Sequence, residues 1–196
     1  MILGIFGLIG AGKSAATKYL GENYDFEILD LDKISKIVMN QDDSKTFVRN
    51  YIPEAYVIET QSIDNSKLRE ILFSDFKRNK YLSKYIWPKV SDLTNEIILS
   101  IPKERNILLE SALLPLLDLK VDKMIYIASN NLQKNIARVI NRDGRSLKET
   151  TSVINIQKRL NKNADYDIVI INDKTIENLH VKLDLYMNKL GINKKK

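Results

Sequence analysis

The chain has no cysteine and a single histidine, His180. That scarcity excludes a disulfide framework, a thiol nucleophile, a zinc cluster and a Ser-His-Asp triad. No apolar run approaches the length of about 18 residues that a membrane-spanning helix needs, and the first apolar stretch gives way to glycine where a signal peptide would have to stay apolar. The expectation is a cytoplasmic protein with no membrane partner. Glycine is also scarce, with 7 in the whole chain, yet four of them (Gly4, Gly7, Gly10 and Gly12) fall within the first twelve positions.

Those glycines belong to the stretch around which the chain is organised. Gly7-Leu8-Ile9-Gly10-Ala11-Gly12-Lys13-Ser14 fits GxxxxGK[ST] without a gap. An apolar run suited to a β-strand (Ile2, Leu3, Ile5, Phe6) leads in, and Ser14 to Leu20 leaves in good helix formers. Glycine lets the backbone turn with positive φ and brings successive N–H groups close to phosphate oxygens. A helix starting near Lys13 would point its free N–H groups and positive dipole end at the same phosphates. In such a loop Lys13 reaches the β- and γ-phosphates and Ser14 ligates Mg²⁺. Gly7, Gly10, Ala11, Gly12, Lys13, Ser14 and Ala15 are therefore the expected nucleotide-binding residues.

With 196 residues, 44% of them hydrophobic, the chain is long enough to bury a core as one domain. Its net charge of +6 is dispersed, apart from Lys194-Lys195-Lys196. The pattern suits a polyanionic small substrate and a solvated surface rather than nucleic acid.

Phe26 to Leu29 reads as a strand that ends at Asp30-Leu31-Asp32, with helical spacing from Lys33. Carboxylates at the C-terminal edge of an α/β sheet lie where ligands bind. One of the pair would take the proton of an acceptor hydroxyl, and the other would hold a magnesium-bound water or a substrate hydroxyl. The competing reading makes Asp30 a helix N-cap and Asp32 a partner of the helix dipole. Asn106 to Leu109 is a further apolar strand ending in Glu110, which could hold Mg²⁺ through a water.

Between about residues 41 and 103 the spacing turns helical, with Trp87-Pro88 expected to interrupt a helix. Beyond a strand over Val121–Ala128, a helix from about Asn130 carries Arg138 and Arg142 toward Asp143-Gly144-Arg145, and a second helix follows to Leu160. This hairpin has the form of a lid that brings guanidinium groups onto transferring phosphates and excludes water. Ile168 to Ile171 supplies a last strand, and Thr175 to Leu190 a closing helix. Five strands alternating with helices give an α/β fold with a parallel sheet.

Taken in order, these motifs resemble the dephospho-coenzyme A kinases, P-loop kinases that phosphorylate the ribose 3′-hydroxyl of dephospho-CoA with ATP. The resemblance rests on Phe6–Ser14, on Asp30-Leu31-Asp32 with Ile34, on Leu68-Arg69 to Asp75, on Leu82 to Val90, on the lid stretch with Gln133, Arg138, Arg142, Asp143 and Gly144, and on Gln157 and Asp167–Asn172. It implies a P-loop kinase-type three-layer fold over residues 1–196, with a core at 1–40 and 104–196, a helical acceptor-binding insertion at about 41–103 and a lid at about 138–160. It further implies ATP and dephospho-CoA as substrates, Mg²⁺ as cofactor, and a monomer or small homo-oligomer. The implied catalytic residues are Lys13, Asp30, Asp32, Arg138 and Arg142, with Asn172 added to the ATP site. Asp30, nearest the strand end, is the first choice as base. Lys36, Asn65 and Trp87 depart from the family's pattern on the acceptor side. Another small-molecule kinase, or a nucleotide-dependent switch without an acceptor, are the alternatives, although no NKxD-type guanine motif is present.

The loop generates the first prediction. Lys13→Ala removes charge aimed at phosphates and little packing, so turnover should vanish while the circular dichroism spectrum is kept. Near-normal activity in that variant would remove the loop from the chemistry.

Overall fold

Residues 1–195 are described by a computed structural model, in which the N-terminal apolar run is β1 (Ile2–Phe6) and the glycine loop opens α1 (Lys13–Asn23). β2 (Phe26–Asp30) passes directly into α2 (Leu31–Met39). The helix begins two residues before the expected Lys33 because the Asp30 carboxylate caps it, accepting from the backbone N–H of Asp32 and Lys33. Then come α3 (Asp42–Tyr51), two short antiparallel strands β3 (Tyr56–Val57) and β4 (Ser62–Ile63), α4 (Asn65–Ser74) and α5 (Phe76–Ser100). β5 (Asn106–Glu110), β6 (Lys123–Ala128), α6 (Leu132–Asp143), α7 (Leu147–Leu160), β7 (Ile168–Ile171) and α8 (Ile176–Lys189) complete the chain.

The five long strands form one parallel sheet in the order β2-β5-β1-β6-β7. Strand periodicity sorts the apolar residues onto two faces. Leu3, Ile5 and Leu108 pack with Leu20 and Tyr24 of the α1 side and with Leu183 and Met187 of α8. Phe6, Ile107 and Leu109 face the other way, onto Leu31, Ile34 and Val38 of α2 and onto Ile86 and Val90 of α5. The sheet order sets β1 between β5 and β6, so the loop after β1 sits at the middle of the C-terminal edge. Asp30 and Glu110, the last residues of β2 and β5, are register partners at that edge. No helix among the described residues is long and apolar enough to cross a membrane.

Two expectations for the segment between α2 and β5 are corrected. Trp87-Pro88 does not interrupt a helix, since α5 runs through Pro88 over 25 residues. Pro88 lies on the exposed side, where water can meet the carbonyl that its missing N–H leaves free, while Ile86 and Val90 are buried and α5 packs on α2. The segment also contains β3 and β4, whose two-residue strands are too short to show a period.

The basic C-terminus is partly structural. Lys194 Nζ donates to Asp184 Oδ2 at 2.8 Å and to the Tyr19 hydroxyl at 3.0 Å, and Lys195 N donates to Asn23 O at 2.8 Å. Lys196 lies outside the described residues. His180 stacks on Tyr19 with ring centroids 3.8 Å apart. Asp184 joins this corner to the core, because it also accepts from the fully buried Tyr24 at 2.7 Å.

Burial alone would raise the Asp184 carboxyl, but hydrogen bonds from Lys194, Tyr24 and Tyr19 outweigh it and hold its pKa below the usual value. A depressed folded value means stability that is present above the unfolded pKa of about 3.9 and is lost as pH falls through the folded one. Asp184→Asn should therefore cost about 1–3 kcal/mol at neutral pH, seen as a lower melting temperature. The gap from the unaltered protein should narrow in acid; a pH-independent gap would remove the charge from the account.

Candidate active site

The loop between β1 and α1 is built as an anion cradle. α1 starts at Lys13 with Gly12 as its N-cap and no side-chain cap, so its first N–H groups are available to an anion. The loop's carbonyls are engaged elsewhere. Asn172 Nδ2 donates to Ala11 O at 2.8 Å, Arg138 Nη1 to Gly10 O at 3.2 Å, and Lys13 Nζ to Leu8 O at 3.4 Å. From the other side, Ile9 N donates to Gln157 Oε1 at 2.8 Å. Side chains from α6, α7 and the end of β7 thus hold three successive loop residues.

Glycine is required where the loop touches these supports. Gly10 has φ +77° and Gly12 φ +105°; a Cβ would stand 2.5 Å from Asn135 O at the first and 2.1 Å from Asn172 Nδ2 at the second. Gly7 follows β1, Ala11 is buried, and Ala15 lies in the first turn of α1.

A cavity of about 440 Å³ opens above the loop and is lined by Lys13, Ser14, Asp32, Glu110, Arg138 and Arg142, among others. Ser14 Oγ donates to Glu110 Oε1 at 2.9 Å, which unites the two residues expected around Mg²⁺. Two hard oxygen ligands next to a phosphate cradle fit an ion that completes its shell with phosphate oxygens and water. Among the described residues no cluster of three or more His, Cys, Asp or Glu side chains could hold a metal unaided.

Electrostatics bind the group together. Burial lowers the pKa of Lys13, opposed by Glu110 and Asp32, while Arg142 pushes the same way as burial. For Asp32, loss of water among the cavity walls raises the carboxyl even though the residue stays open at the mouth; Lys13 opposes and Asp30 reinforces. Arg142 is held in a planar fork by Asp143, with Nε–Oδ1 2.6 Å and Nη2–Oδ2 2.9 Å. Its charge is felt at Lys13, Asp32 and Glu110.

The two aspartates are thereby separated. Asp30 Oδ1 accepts from Asp32 N at 3.0 Å and Lys33 N at 3.3 Å, and Lys33 Nζ stands 3.7 Å from Oδ2. Asp32 lines the cavity and Asp30 does not. Asp30, the first choice as base, is thus engaged as the cap of α2. Arg138 and Asn172 reach the loop's backbone instead of projecting free into the cavity, and Gln133 is exposed on α6. Gln157 as a loop support had no local signal, since its partner is 148 positions away. A larger hollow of about 550 Å³ between α3 and α5, walled by Tyr51, Tyr81 and Arg78, contains none of the expected site residues and no phosphate-binding backbone.

Comparison with known proteins gives the chain's family and fold. The profile of the dephospho-CoA kinase family matches residues 1–178. A dephospho-CoA kinase of Fusobacterium nucleatum is 29% identical, the match covering 95% of this chain and 96% of that protein. Among solved structures, TT1252 from Thermus thermophilus superposes with a TM-score of 0.75 at 26% identity over 97% of both chains. Dephospho-CoA kinase from Campylobacter jejuni, at 19% identity, shares the fold with a TM-score of 0.58 over 96% of both chains.

The loop geometry makes Gly12→Ala a sharp test. The added Cβ meets Asn172, and the left-handed backbone costs about 1–3 kcal/mol for a non-glycine residue. Nucleotide affinity, measured by fluorescence titration, should fall roughly tenfold or more. The double variant Gly12→Ala/Asn172→Ala should not restore it, because the backbone strain remains; full recovery would assign the defect to the side-chain clash alone.

Proposed function

The chain belongs to the dephospho-CoA kinase family, and from that premise we propose that its cavity carries the γ-phosphoryl of ATP to the ribose 3′-hydroxyl of dephospho-CoA, the last step of coenzyme A biosynthesis. One observation supports the reading above others. An uncapped helix N-terminus, a lysine, a hydroxyl–carboxylate pair, a second carboxylate and an arginine fork converge on one cavity.

The division of labour follows from charge. The loop N–H groups and Lys13 hold the β- and γ-phosphates; bound phosphate charge restores the proton affinity that burial takes from Lys13. Ser14 and Glu110 would hold Mg²⁺, which supplies charge neutralisation on the phosphates when bound. Asp32, at the cavity wall with its pKa raised, accepts the proton of the 3′-hydroxyl as that oxygen bonds to phosphorus and the β–γ bridging bond breaks, releasing ADP. Asp30 serves this step indirectly by capping α2 and so fixing where Asp32 stands. Arg142, presented by Asp143, meets the charge that spreads over the transferring group. Arg138 keeps the loop in shape through Gly10.

In this reading residues 1–40 and 104–196 form the core, about 41–103 the acceptor side and about 138–160 the lid. ATP and dephospho-CoA are cytoplasmic metabolites, and the reading includes that location.

ADP release from ATP should occur with dephospho-CoA and not with nucleoside monophosphates, shikimate or gluconate; release without any acceptor would favour a switch. In the same assay Asp32→Asn should lower kcat about 10²-fold or more. Asp30→Asn, still a good N-cap, should cost little. Because a base must be ionised to work, activity should fall as pH drops through a pKa above the usual carboxylate range, and that limb should disappear in Asp32→Asn. A large loss in Asp30→Asn alone would return the base to Asp30.

A further inference from the structure

The turn between α6 and α7 carries a cation that its own surroundings leave unsatisfied. Arg145 precedes Ser146, the N-cap of α7, and its side chain is only 20% exposed. Its Nε is sealed from solvent without a hydrogen-bond acceptor. The nearest carboxylate oxygen, Asp143 Oδ2, stands 3.5 Å away and already accepts Arg142 Nη2 at 2.9 Å. One carboxylate therefore serves two guanidinium groups. A third lies close by on α4, which packs on α7: burial lowers the Arg145 pKa, and Arg69 and Arg142 lower it further against the pull of Asp143 and Glu149. Glu149 is itself occupied, accepting from Ser146 N and Oγ in a capping box. Arg142 and Arg69 stay exposed, but a largely buried, under-paired guanidinium such as Arg145 beside two further cations is costly unless an anion joins it.

Position along the lid says which anion. Arg138 reaches the loop at Gly10. Arg142, one helical turn on, is felt at Lys13, Asp32 and Glu110, the reacting centre. Arg145 lines the same cavity, but its charged neighbours are Arg69, Asp143, Arg142 and Glu149. The three arginines thus run from the ATP end of the cavity to the α4 side. Dephospho-CoA carries its diphosphate on C5′ of the ribose whose 3′-hydroxyl is phosphorylated, so an acceptor seated at Asp32 places two phosphates about one sugar's width away.

We propose that Arg145 and Arg69 form an anion subsite for the acceptor's diphosphate, assembled from the lid turn on one side and α4 on the other. The assignment to the acceptor rests on the reaction given above. A planar fork on each side suits phosphate oxygens, and the bound diphosphate would neutralise the repulsion between the two arginines.

Kinetics with each substrate varied in turn provide the test. Arg145→Gln and Arg69→Gln should each raise KM for dephospho-CoA about tenfold or more, while KM for ATP stays within about twofold. Arg145→Lys should recover part of the loss. Since Arg145 is an under-paired cation in the free protein, Arg145→Gln should melt no lower than the unaltered chain; a structural arginine would lower the melting temperature and leave both KM values alone. Calorimetric titration of inorganic pyrophosphate, with the loop saturated by a non-hydrolysable ATP analogue, should show binding that Arg145→Gln abolishes. A rise in KM for ATP alone, or pyrophosphate binding indifferent to Arg145, overturns the subsite. If the unaltered chain phosphorylates no dephospho-CoA, the reaction assigned above falls instead, and the pyrophosphate titration still decides the subsite.

Discussion

A backbone that offers N–H groups to an anion must put its carbonyls somewhere, and the rest of this structure depends on how that is done. Ala11 and Gly10 turn their carbonyls to Asn172 and Arg138, and Ile9 gives its N–H to Gln157. Each of these side chains comes from the C-terminal half of the chain. The cradle therefore depends on β7, joined to the sheet through β6, and on the α6–α7 hairpin. Asn172 is buried where it makes this contact. Preorganised N–H groups of this kind stabilise developing charge without reorganising during the reaction.

The sheet order does a second job. With β5 and β6 on either side of β1, the carboxylates at the ends of β2 and β5 and the cations of the lid arrive on one side of the loop. Opposite charges placed so closely would pair and neutralise each other unless geometry kept some of them apart. The helix cap takes Asp30, Ser14 engages Glu110, and Asp143 holds Arg142. Asp32 and Lys13 are left with pKa values displaced by burial, toward protonation in the first and toward neutrality in the second. The displacement at Lys13 is reversed when a polyanion enters the cavity, so this part of the site is built for its bound state.

The segment between α2 and β5 departs most from a uniform helical reading. Its long helix α5 carries a proline in mid-course because packing on both neighbouring turns outweighs one missing hydrogen bond. The same segment supplies Arg69, whose charge is felt at Arg145 in the turn between α6 and α7. α4 and the α6–α7 hairpin are thus linked by charge as well as by the packing of α4 on α7.

The amino-acid sequence by itself determined the elements and the chemistry at the loop. Apolar runs of four to six residues, glycines at fixed intervals and Lys13-Ser14 are local features, and local conformational preference suffices to read a strand, a phosphate loop and a helix from them. It likewise determined that Asp30 and Glu110 stand at strand ends, with Asp32 just beyond the first, and that arginines cluster around the turn between α6 and α7. Tertiary structure decided which of these groups work together. Whether Asp30 or Asp32 faces the cavity depends on where α2 begins, and that is set by a cap whose energy competes with a catalytic role for the same carboxylate. Gln157 and Asn172 find partners 148 and 161 positions away, and Arg145 is left short of one. Contacts over such separations are fixed by the packing of helices on a sheet, and no periodicity within a short window of sequence records it.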